Sequence, residues 1–141
     1  MVRLEDKSES SYGGILSAKP TPRTGFARLM PAIRYSLAGI KTTLKTEVAF
    51  RQEIGAFVVL FPLALWLGNS SVDKVLLVAP LFLVLICELF NTALESAVDR
   101  WGQEYNEFSR IAKDAGSAAV FISLLLVLTT WVIVLLVPLL D

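Results

Sequence analysis

The sequence of 141 residues contains no histidine and only one cysteine, Cys87. The absence of histidine excludes Ser-His-Asp catalytic triads and zinc sites with histidine ligands. A single cysteine cannot form an intramolecular disulfide bond or a CxxC metal site. Because Cys87 lies inside an apolar run, we interpret it as a small packing residue.

The common nucleotide-binding motifs are also missing. The sequence has no GxxxxGK[ST] loop, no GxGxxG after a strand, and no HRD or DFG segment. Any nucleotide site would therefore be built from helix side chains. The N-terminal residues lack the apolar stretch of a signal peptide, no internal repeat occurs, and the length fits one domain.

Apolar residues make up 55% of the chain and fall into three blocks, which is typical of a membrane protein. Residues 1–24 are polar and are predicted to be a disordered tail. Residues 25–46 combine apolar residues at helical spacing with basic residues, which predicts an amphipathic helix in the membrane interface. The predicted transmembrane segments are about 49–67, 72–94 and 115–140.

The distribution of lysine and arginine predicts the orientation in the membrane. Nine of the 13 precede Ile54, three lie between the second and third segments, and only Lys74 marks the turn between the first two. The positive-inside rule places the N-terminus and the loop at 96–112 in the cytoplasm. The chain is thus expected to be a multi-pass membrane protein.

The second segment carries an unusual set of polar residues. Glu88, Asn91, Glu95 and Asp99 are spaced i, i+3, i+7 and i+11, which places them on one stripe of a helix. Glu88 is expected within the hydrocarbon, Glu95 at the cytoplasmic interface and Asp99 in water. An ionisable residue inside a bilayer costs several kcal/mol, so a functional site is indicated, although a polar seam between helices is the alternative.

These acids suit two kinds of chemistry. A carboxylate in a medium of low dielectric constant binds a proton readily, so Glu88 is a candidate general base toward an alcohol. Glu47 and Glu95, nearer water, are candidate magnesium ligands. Lys113 and Asp114 lie at the same depth. Carboxylates and cations together favour a metal-bound polyphosphate, although composition alone also allows a proton- or cation-coupled transporter or a non-catalytic membrane subunit.

Three sequence blocks resemble the prokaryotic diacylglycerol kinase family. They are Glu47-Val-Ala-Phe-Arg-Gln-Glu53, then Glu88-Leu-Phe-Asn-Thr-Ala-Leu-Glu-Ser-Ala-Val-Asp-Arg100, and Ala112-Lys-Asp-Ala-Gly-Ser-Ala-Ala-Val120. Their order and spacing match the family, and the resemblance covers about residues 25–137. It implies an all-α protein of the bacterial inner membrane with an interfacial helix and three transmembrane helices, usually a homotrimer. Members of the family phosphorylate a lipid alcohol with magnesium-ATP.

The resemblance also implies roles for individual residues. Glu88 would be the catalytic base, and Glu47 and Glu95 would hold Mg²⁺ against the ATP phosphates. The residues that would contact the nucleotide are Arg28, Tyr35, Glu104, Tyr105, Asn106, Lys113 and Asp114. Asn91 and Asp99 would shape the same site. The lipid would face Arg28, Ala49, Arg51, Gln52, Glu53, Glu88 and Ser117. Asn106 stands where the family often has histidine.

The substrate implied by the resemblance is diacylglycerol, with undecaprenol as the alternative used by some family members. The Gly116-Ser117-Ala118-Ala119 stretch and Arg100 are more similar to the diacylglycerol-using branch. No nucleic-acid partner is expected. Because three helices offer little interior to shield Glu88, we also expect a homo-oligomer with the site at a subunit boundary.

Overall fold

A computed structural model describes residues 26–100, 102 and 104–137, with only the backbone described for residues 26–28. These residues form four α-helices: α1 (Phe26–Thr46), α2 (Val48–Leu67), α3 (Ser71–Asp99) and α4 (Glu107–Leu136). The predicted all-helical fold is therefore confirmed. The predicted tail, residues 1–24, lies outside the described residues.

The chain divides into two compact units, one up to Tyr35 and one from Ser36 onward. The described part of the first unit, residues 26–35, is helical and has exposed Leu29, Met30 and Ile33 side chains. Exposed apolar residues of this kind are what a helix in the membrane interface presents to lipid. The interfacial position of this segment stays a prediction.

Helices α2, α3 and α4 are each long and apolar enough to cross a membrane. They contain 20, 29 and 30 residues. At a rise of 1.5 Å per residue, α2 is about 30 Å long, which matches the hydrocarbon thickness, and α3 and α4 are about 45 Å long. The two longer helices therefore extend beyond the hydrocarbon.

The polar stretch at 96–112 differs from the predicted loop because most of it is helical. Helix α3 continues to Asp99 and α4 already begins at Glu107, so only residues 100–106 lie between these helices. Hydropathy indicates which residues can enter lipid. It does not show where a helix ends, because polar residues can continue the helix into water. The expected end of the third segment, Leu140, lies outside the described residues.

The connection between α2 and α3 is a tight turn. The backbone N–H of Gly68 donates to the Ala64 carbonyl at 3.1 Å, and a Cβ at Gly68 would lie 2.7 Å from Lys74 Cγ. Ser70 Oγ accepts from Asp73 N at 3.1 Å, while Asp73 Oδ2 accepts from Ser70 N at 2.9 Å. This reciprocal capping box satisfies two backbone donors and fixes where α3 begins.

Helix α3 is the central element, because it packs against both α2 and α4. Among the described residues, the buried apolar side chains include Phe50, Ala64, Leu77, Leu81 and Val84, which lie on α2 and α3. Across the α3–α4 contact, Trp131 Nε1 donates to the Leu77 carbonyl at 3.2 Å, so this tryptophan packs between helices. Much of the remaining apolar surface of α4 is exposed, as expected for a helix that faces lipid or another protein chain.

Candidate functional site

The four polar residues predicted to share one face of a helix, Glu88, Asn91, Glu95 and Asp99, all lie on α3 and are called the acid stripe below. Glu88 is only 5% exposed, Asn91 and Glu95 are half-buried, and Asp99 is exposed. Asn91 Nδ2 donates to Glu95 Oε1 at 3.3 Å, as side chains four residues apart on one helix face can do. Burial within the protein therefore decreases along the stripe from Glu88 to Asp99, and the depth of these residues in the membrane stays a prediction.

Two further carboxylates approach Glu88 from other elements. Glu47 lies between α1 and α2 in an extended conformation, and Glu53 lies on the second turn of α2. Glu88 interacts electrostatically with Glu47 and Glu95, and Glu53 interacts with Glu88. Like charges repel strongly in a poorly hydrated region, so this arrangement favours the binding of a cation or of protons.

The donor chemistry of Glu47 and Glu95 fits magnesium. Carboxylate oxygens are the hard ligands that Mg²⁺ prefers. Among the described residues, no group of three or more acidic or cysteine side chains is arranged to hold a metal ion by itself. Magnesium is commonly bound by one or two carboxylates together with water and substrate phosphates, so the pair fits an ion that is shared with a polyphosphate.

Arg51 has a structural contact at the start of α2. Its Nη1 atom donates to the carbonyl oxygens of Leu44 and Lys45, each at 3.1 Å. The last carbonyls of a helix have no partner within that helix, so the guanidinium caps the C-terminal end of α1. This contact fixes the junction that carries Glu47. The predicted lipid contact of Arg51 is untested.

The other predicted lipid-facing residues of α2 separate into two groups. Ala49 and Gln52 are exposed, whereas the Glu53 side chain is half-buried and points into the bundle. Glu53 Oε2 is buried and has no hydrogen-bond partner among the described residues. It borders a cavity of about 70 Å³ between α2, α3 and α4, whose other lining residues are apolar. Glu53 is therefore placed beside Glu88, inside the bundle.

Gly116 marks a close contact between α3 and α4 near the site. Gly116 is buried, and a Cβ at this position would overlap Asn91 Oδ1 and lie 3.5 Å from Leu94 Cδ1. The Asn91 Oδ1 atom is itself buried without a hydrogen-bond partner among the described residues. Only glycine leaves room for the asparagine that donates to Glu95. Gly116 is thus a close-packing position between α3 and α4.

An ion pair joins the C-terminal end of α3 to the N-terminal part of α4. Lys113 Nζ lies 2.5 Å from Asp99 Oδ1. The Asp99 side chain is 63% exposed and that of Lys113 is 39% exposed, so both remain accessible from water. Two residues that were predicted from separate sequence blocks thus meet at one end of the acid stripe.

A second charged network covers the first two turns of α4. Arg110 Nη1 donates to Asp114 Oδ2 at 2.6 Å, and Arg110 Nη2 and Nε donate to the two carboxylate oxygens of Glu107 at 2.5 and 3.2 Å. Tyr105 Oη donates to Glu107 Oε2 at 2.5 Å. Tyr105 and Asp114 were predicted from the sequence, whereas Glu107 and Arg110 were not.

Asn106 is the N-cap of α4. Its Oδ1 atom accepts from the backbone N–H groups of Phe108 and Ser109 at 2.9 and 3.2 Å. Asparagine is among the strongest N-cap residues because its side chain satisfies backbone donors that have no partner in the helix. The structure thus gives this side chain a role in starting α4. The adjacent Glu104 is exposed.

The remaining predicted residues are less closely tied to the stripe. Ser117 is exposed on α4, next to Gly116. Tyr35 is exposed and belongs to the first unit of the chain, as does Arg28, whose side chain is not described. The roles of these three residues stay predictions.

A groove between α1 and α3 was not predicted from the sequence. It has a volume of about 580 Å³ and is lined by small, mostly hydroxyl-bearing residues together with Ile40 and Leu89. Its walls include Thr43, which is buried, and Thr92, whose Oγ1 is buried without a hydrogen-bond partner among the described residues. The only sequence signal was the helical spacing of Thr92 and Ser96 beside the acid stripe.

Comparison with protein families gives one match that covers most of the chain. The model of the family described as prokaryotic diacylglycerol kinase matches residues 34–135. The match includes all three sequence blocks on which the resemblance was based.

Individual relatives give the same result. The chain is 44% identical over 112 residues to a diacylglycerol kinase of Escherichia coli K12, with 79% of this chain and 92% of the relative covered. A diacylglycerol kinase of Haemophilus influenzae is 43% identical over 108 residues, covering 77% and 92%. One of Pseudomonas aeruginosa is 42% identical over 120 residues, covering 83% and 98%.

The Gly116–Asn91 contact predicts a specific loss of stability. Gly116→Ala should lower the free energy of unfolding by about 1–3 kcal/mol, because the added methyl group overlaps the Asn91 amide. The measurement is reversible unfolding of the purified protein in detergent micelles.

Gly55→Ala is the matched control, because a Cβ at Gly55 would meet nothing within 4 Å. This variant should be no less stable than the parent, since alanine favours a helix. If the contact is responsible, Asn91→Ala should remove most of the cost of Gly116→Ala in the double variant. If the double variant loses as much stability as the two single variants together, the contact with Asn91 is not the cause.

Proposed function

Because the chain belongs to the prokaryotic diacylglycerol kinase family, we propose that it transfers the γ-phosphoryl group of ATP to the free hydroxyl of diacylglycerol. The products are phosphatidic acid and ADP. The observation that carries this proposal is the buried Glu88, which lies on a helix able to cross a membrane and within electrostatic range of three other carboxylates. The proposed reaction takes place at the cytoplasmic side, where the positive-inside rule places the loop between α3 and α4.

Glu88 is the proposed general base. Its burial deprives the carboxylate of hydration, which makes it a better proton acceptor than a carboxylate in water. It would accept the proton of the lipid hydroxyl as the oxygen attacks the γ-phosphorus and the bond to the β–γ bridging oxygen breaks. The expected depth of Glu88 in the membrane suits this role, because the lipid alcohol approaches from the membrane and ATP approaches from water.

Glu47 and Glu95 are the proposed Mg²⁺ ligands. The ion, when bound, neutralises charge on the ATP phosphates and orients them. Asn91 supports Glu95 through its hydrogen bond, and Gly116 makes room for Asn91. Lys113 is held by Asp99 at the same end of the stripe, where its ammonium group can be offered to a phosphate.

The proposed nucleotide-binding surface comprises the residues at the start of α4 and the exposed end of α3. Tyr105 and Asp114 are exposed and within one hydrogen-bonded network, which leaves them accessible to a ligand from water. Glu104 and Asn106 precede them, and Asn106 would contribute mainly by fixing the first turn of α4. Arg28 and Tyr35 are proposed to contact the nucleotide because of the family resemblance alone.

The proposed lipid-binding surface comprises Ala49, Arg51, Gln52, Glu53 and Ser117 around Glu88, and Arg28 is proposed to contact lipid because of the family resemblance alone. Exposure of Ala49, Gln52 and Ser117 supports this role for them. Glu53 would act through its proximity to Glu88, since its carboxylate points into the bundle. The three relatives compared above are all diacylglycerol kinases, which favours diacylglycerol over undecaprenol and an enzyme over a transporter.

We also propose that the protein acts as a homotrimer. Within the part of the chain that the structure describes, few apolar side chains are buried, whereas Phe121, Ile122, Leu128 and Ile133 of α4 are exposed. An ionisable residue at membrane depth nearly always faces a protein interior or a wet cavity. A neighbouring protomer would complete that interior and would place the site at a subunit boundary.

Replacing the proposed base tests the catalytic role directly. Glu88→Gln should fold and insert at least as well as the parent, because it removes a buried acid. It should lose at least about 90% of the turnover while keeping ATP binding, since general-base catalysis is typically worth 10²–10⁴-fold. The measurements are phosphate transfer to short-chain diacylglycerol in micelles and equilibrium binding of ATP. Retention of more than about a tenth of the rate would rule out Glu88 as the base.

The proposed metal ligands predict a change in magnesium dependence. Glu47→Ala and Glu95→Ala should each raise the Mg²⁺ concentration that gives half-maximal activity and should leave the KM for diacylglycerol unchanged. If the Mg²⁺ concentration for half-maximal activity is unchanged in both variants, Glu47 and Glu95 are excluded as ligands.

Mixed oligomers test whether the site lies between protomers. Glu88→Gln and Asp114→Asn, each inactive alone, should regain partial activity when the two proteins are mixed and reassembled. Recovery requires one site that takes these two residues from different chains. If cross-linking proves that mixed oligomers form and they stay inactive, each protomer builds its own site.

A further inference from the structure

Arg110 and Glu107 occupy the first turns of α4 and make a continuous set of contacts with two residues proposed to bind the nucleotide. Arg110 binds Asp114 through Nη1 at 2.6 Å and binds both carboxylate oxygens of Glu107 through Nη2 and Nε. Glu107 in turn accepts from the hydroxyl of Tyr105. The guanidinium thus connects Tyr105 on one side with Asp114 on the other.

These contacts contribute little to folding. The side chains of Arg110 and Glu107 are each 51% exposed, and that of Asp114 is 63% exposed. Exposed ion pairs three or four residues apart on a helix typically stabilise a protein only slightly, because water screens the charges and the long side chains lose freedom. Stability alone therefore gives no reason for a network in which every hydrogen bond of the guanidinium leads toward Tyr105 or Asp114.

Geometry distinguishes arginine from lysine at this position. The guanidinium presents its donors in a fixed planar arrangement, so it can bind the two oxygens of Glu107 and a separate carboxylate at the same time. A lysine ammonium at the same place would be a single point charge on a flexible chain. The contacts seen here use the planar shape of arginine and not only its charge.

We propose that Arg110 and Glu107 are positioning residues of the nucleotide site, which hold Asp114 and Tyr105 in the orientation that binds ATP. This inference rests on the proposed kinase function. Preorganised side chains bind a ligand more tightly because less freedom is lost on binding. Glu107 is the link, since it contacts both Arg110 and Tyr105.

The test compares variants of the full-length protein in lipid micelles, with the KM for ATP and the KM for diacylglycerol measured separately. Arg110→Met should raise the KM for ATP about tenfold, because misplaced binding groups lose contacts with the substrate. The KM for diacylglycerol and the unfolding midpoint in detergent should stay unchanged. Arg110→Lys should recover less than half of the lost affinity for ATP, since it restores the charge but not the planar shape.

Arg100→Met is the matched control. Arg100 is an exposed arginine between α3 and α4 that makes no ion pair with any residue the structure describes. Its replacement removes the same charge from the same surface, so it reports the general attraction of ATP to that surface. The KM for ATP should change less than twofold in this variant.

A double-variant cycle tests the connection itself. Glu107→Gln and Tyr105→Phe should each raise the KM for ATP, and the double variant should be no worse than the poorer single variant, because both changes break the same contact. Fully additive effects would overturn the proposed link, as would an unchanged KM for ATP in Arg110→Met. Failure of the kinase function itself would be recognised separately, because the parent protein would then transfer no phosphate from ATP.

Discussion

The burial of the Glu88 carboxylate is the constraint on which the arrangement around it depends. A carboxylate that is removed from water needs polar neighbours, and at membrane depth these can come only from the protein. The described neighbours that interact with Glu88 include other carboxylates. Glu47 and Glu53 approach from the start of α2, and Glu95 lies two turns along the same helix. Because these groups carry the same charge as Glu88, the cluster needs bound protons or a cation to compensate the repulsion.

The close approach of α3 and α4 follows from small residues and hydrogen bonds. Gly116 allows the Asn91 side chain to occupy the interface, and the Trp131 indole fastens the opposite end through the Leu77 carbonyl. Between these points, few apolar side chains are buried. Packing of this kind is usual in membranes, where lipid is as apolar as the helix surface and close contact replaces the hydrophobic effect.

The sequence predicted the helices well because long apolar runs and helical spacing of polar residues are local signals. It did not predict the helical ends of α3 and α4, since hydropathy does not distinguish a polar helix from a loop. It also did not predict that Glu53 points into the bundle while Gln52 is exposed. That difference depends on how α2 is rotated about its axis, which is fixed by the burial of Phe50 and Ala64 against other helices.

The contacts of single side chains were the least predictable. The N-cap role of Asn106 follows from where α4 begins, and the apolar pattern did not locate that residue. Arg110 is three residues from Glu107 and four from Asp114, and charged residues are often spaced in this way on a helix. The spacing alone therefore did not indicate that this network also reaches Tyr105. The acid stripe was recognisable because charged residues in an apolar segment are costly and therefore rare.

The continuity of α4 has a consequence for how the protein responds to its membrane. This helix is about 45 Å long, whereas the hydrocarbon is about 30 Å thick, so its first turns project into the aqueous phase as a rigid extension. A thicker or thinner bilayer changes the tilt of a helix whose apolar part no longer matches it. Tilting α4 displaces Lys113 and Asp114 together, because no flexible joint separates them from the apolar part. Hydrophobic mismatch is thereby converted into a movement of charged groups at the membrane surface, which makes the thickness of the surrounding lipid a physical input to the site.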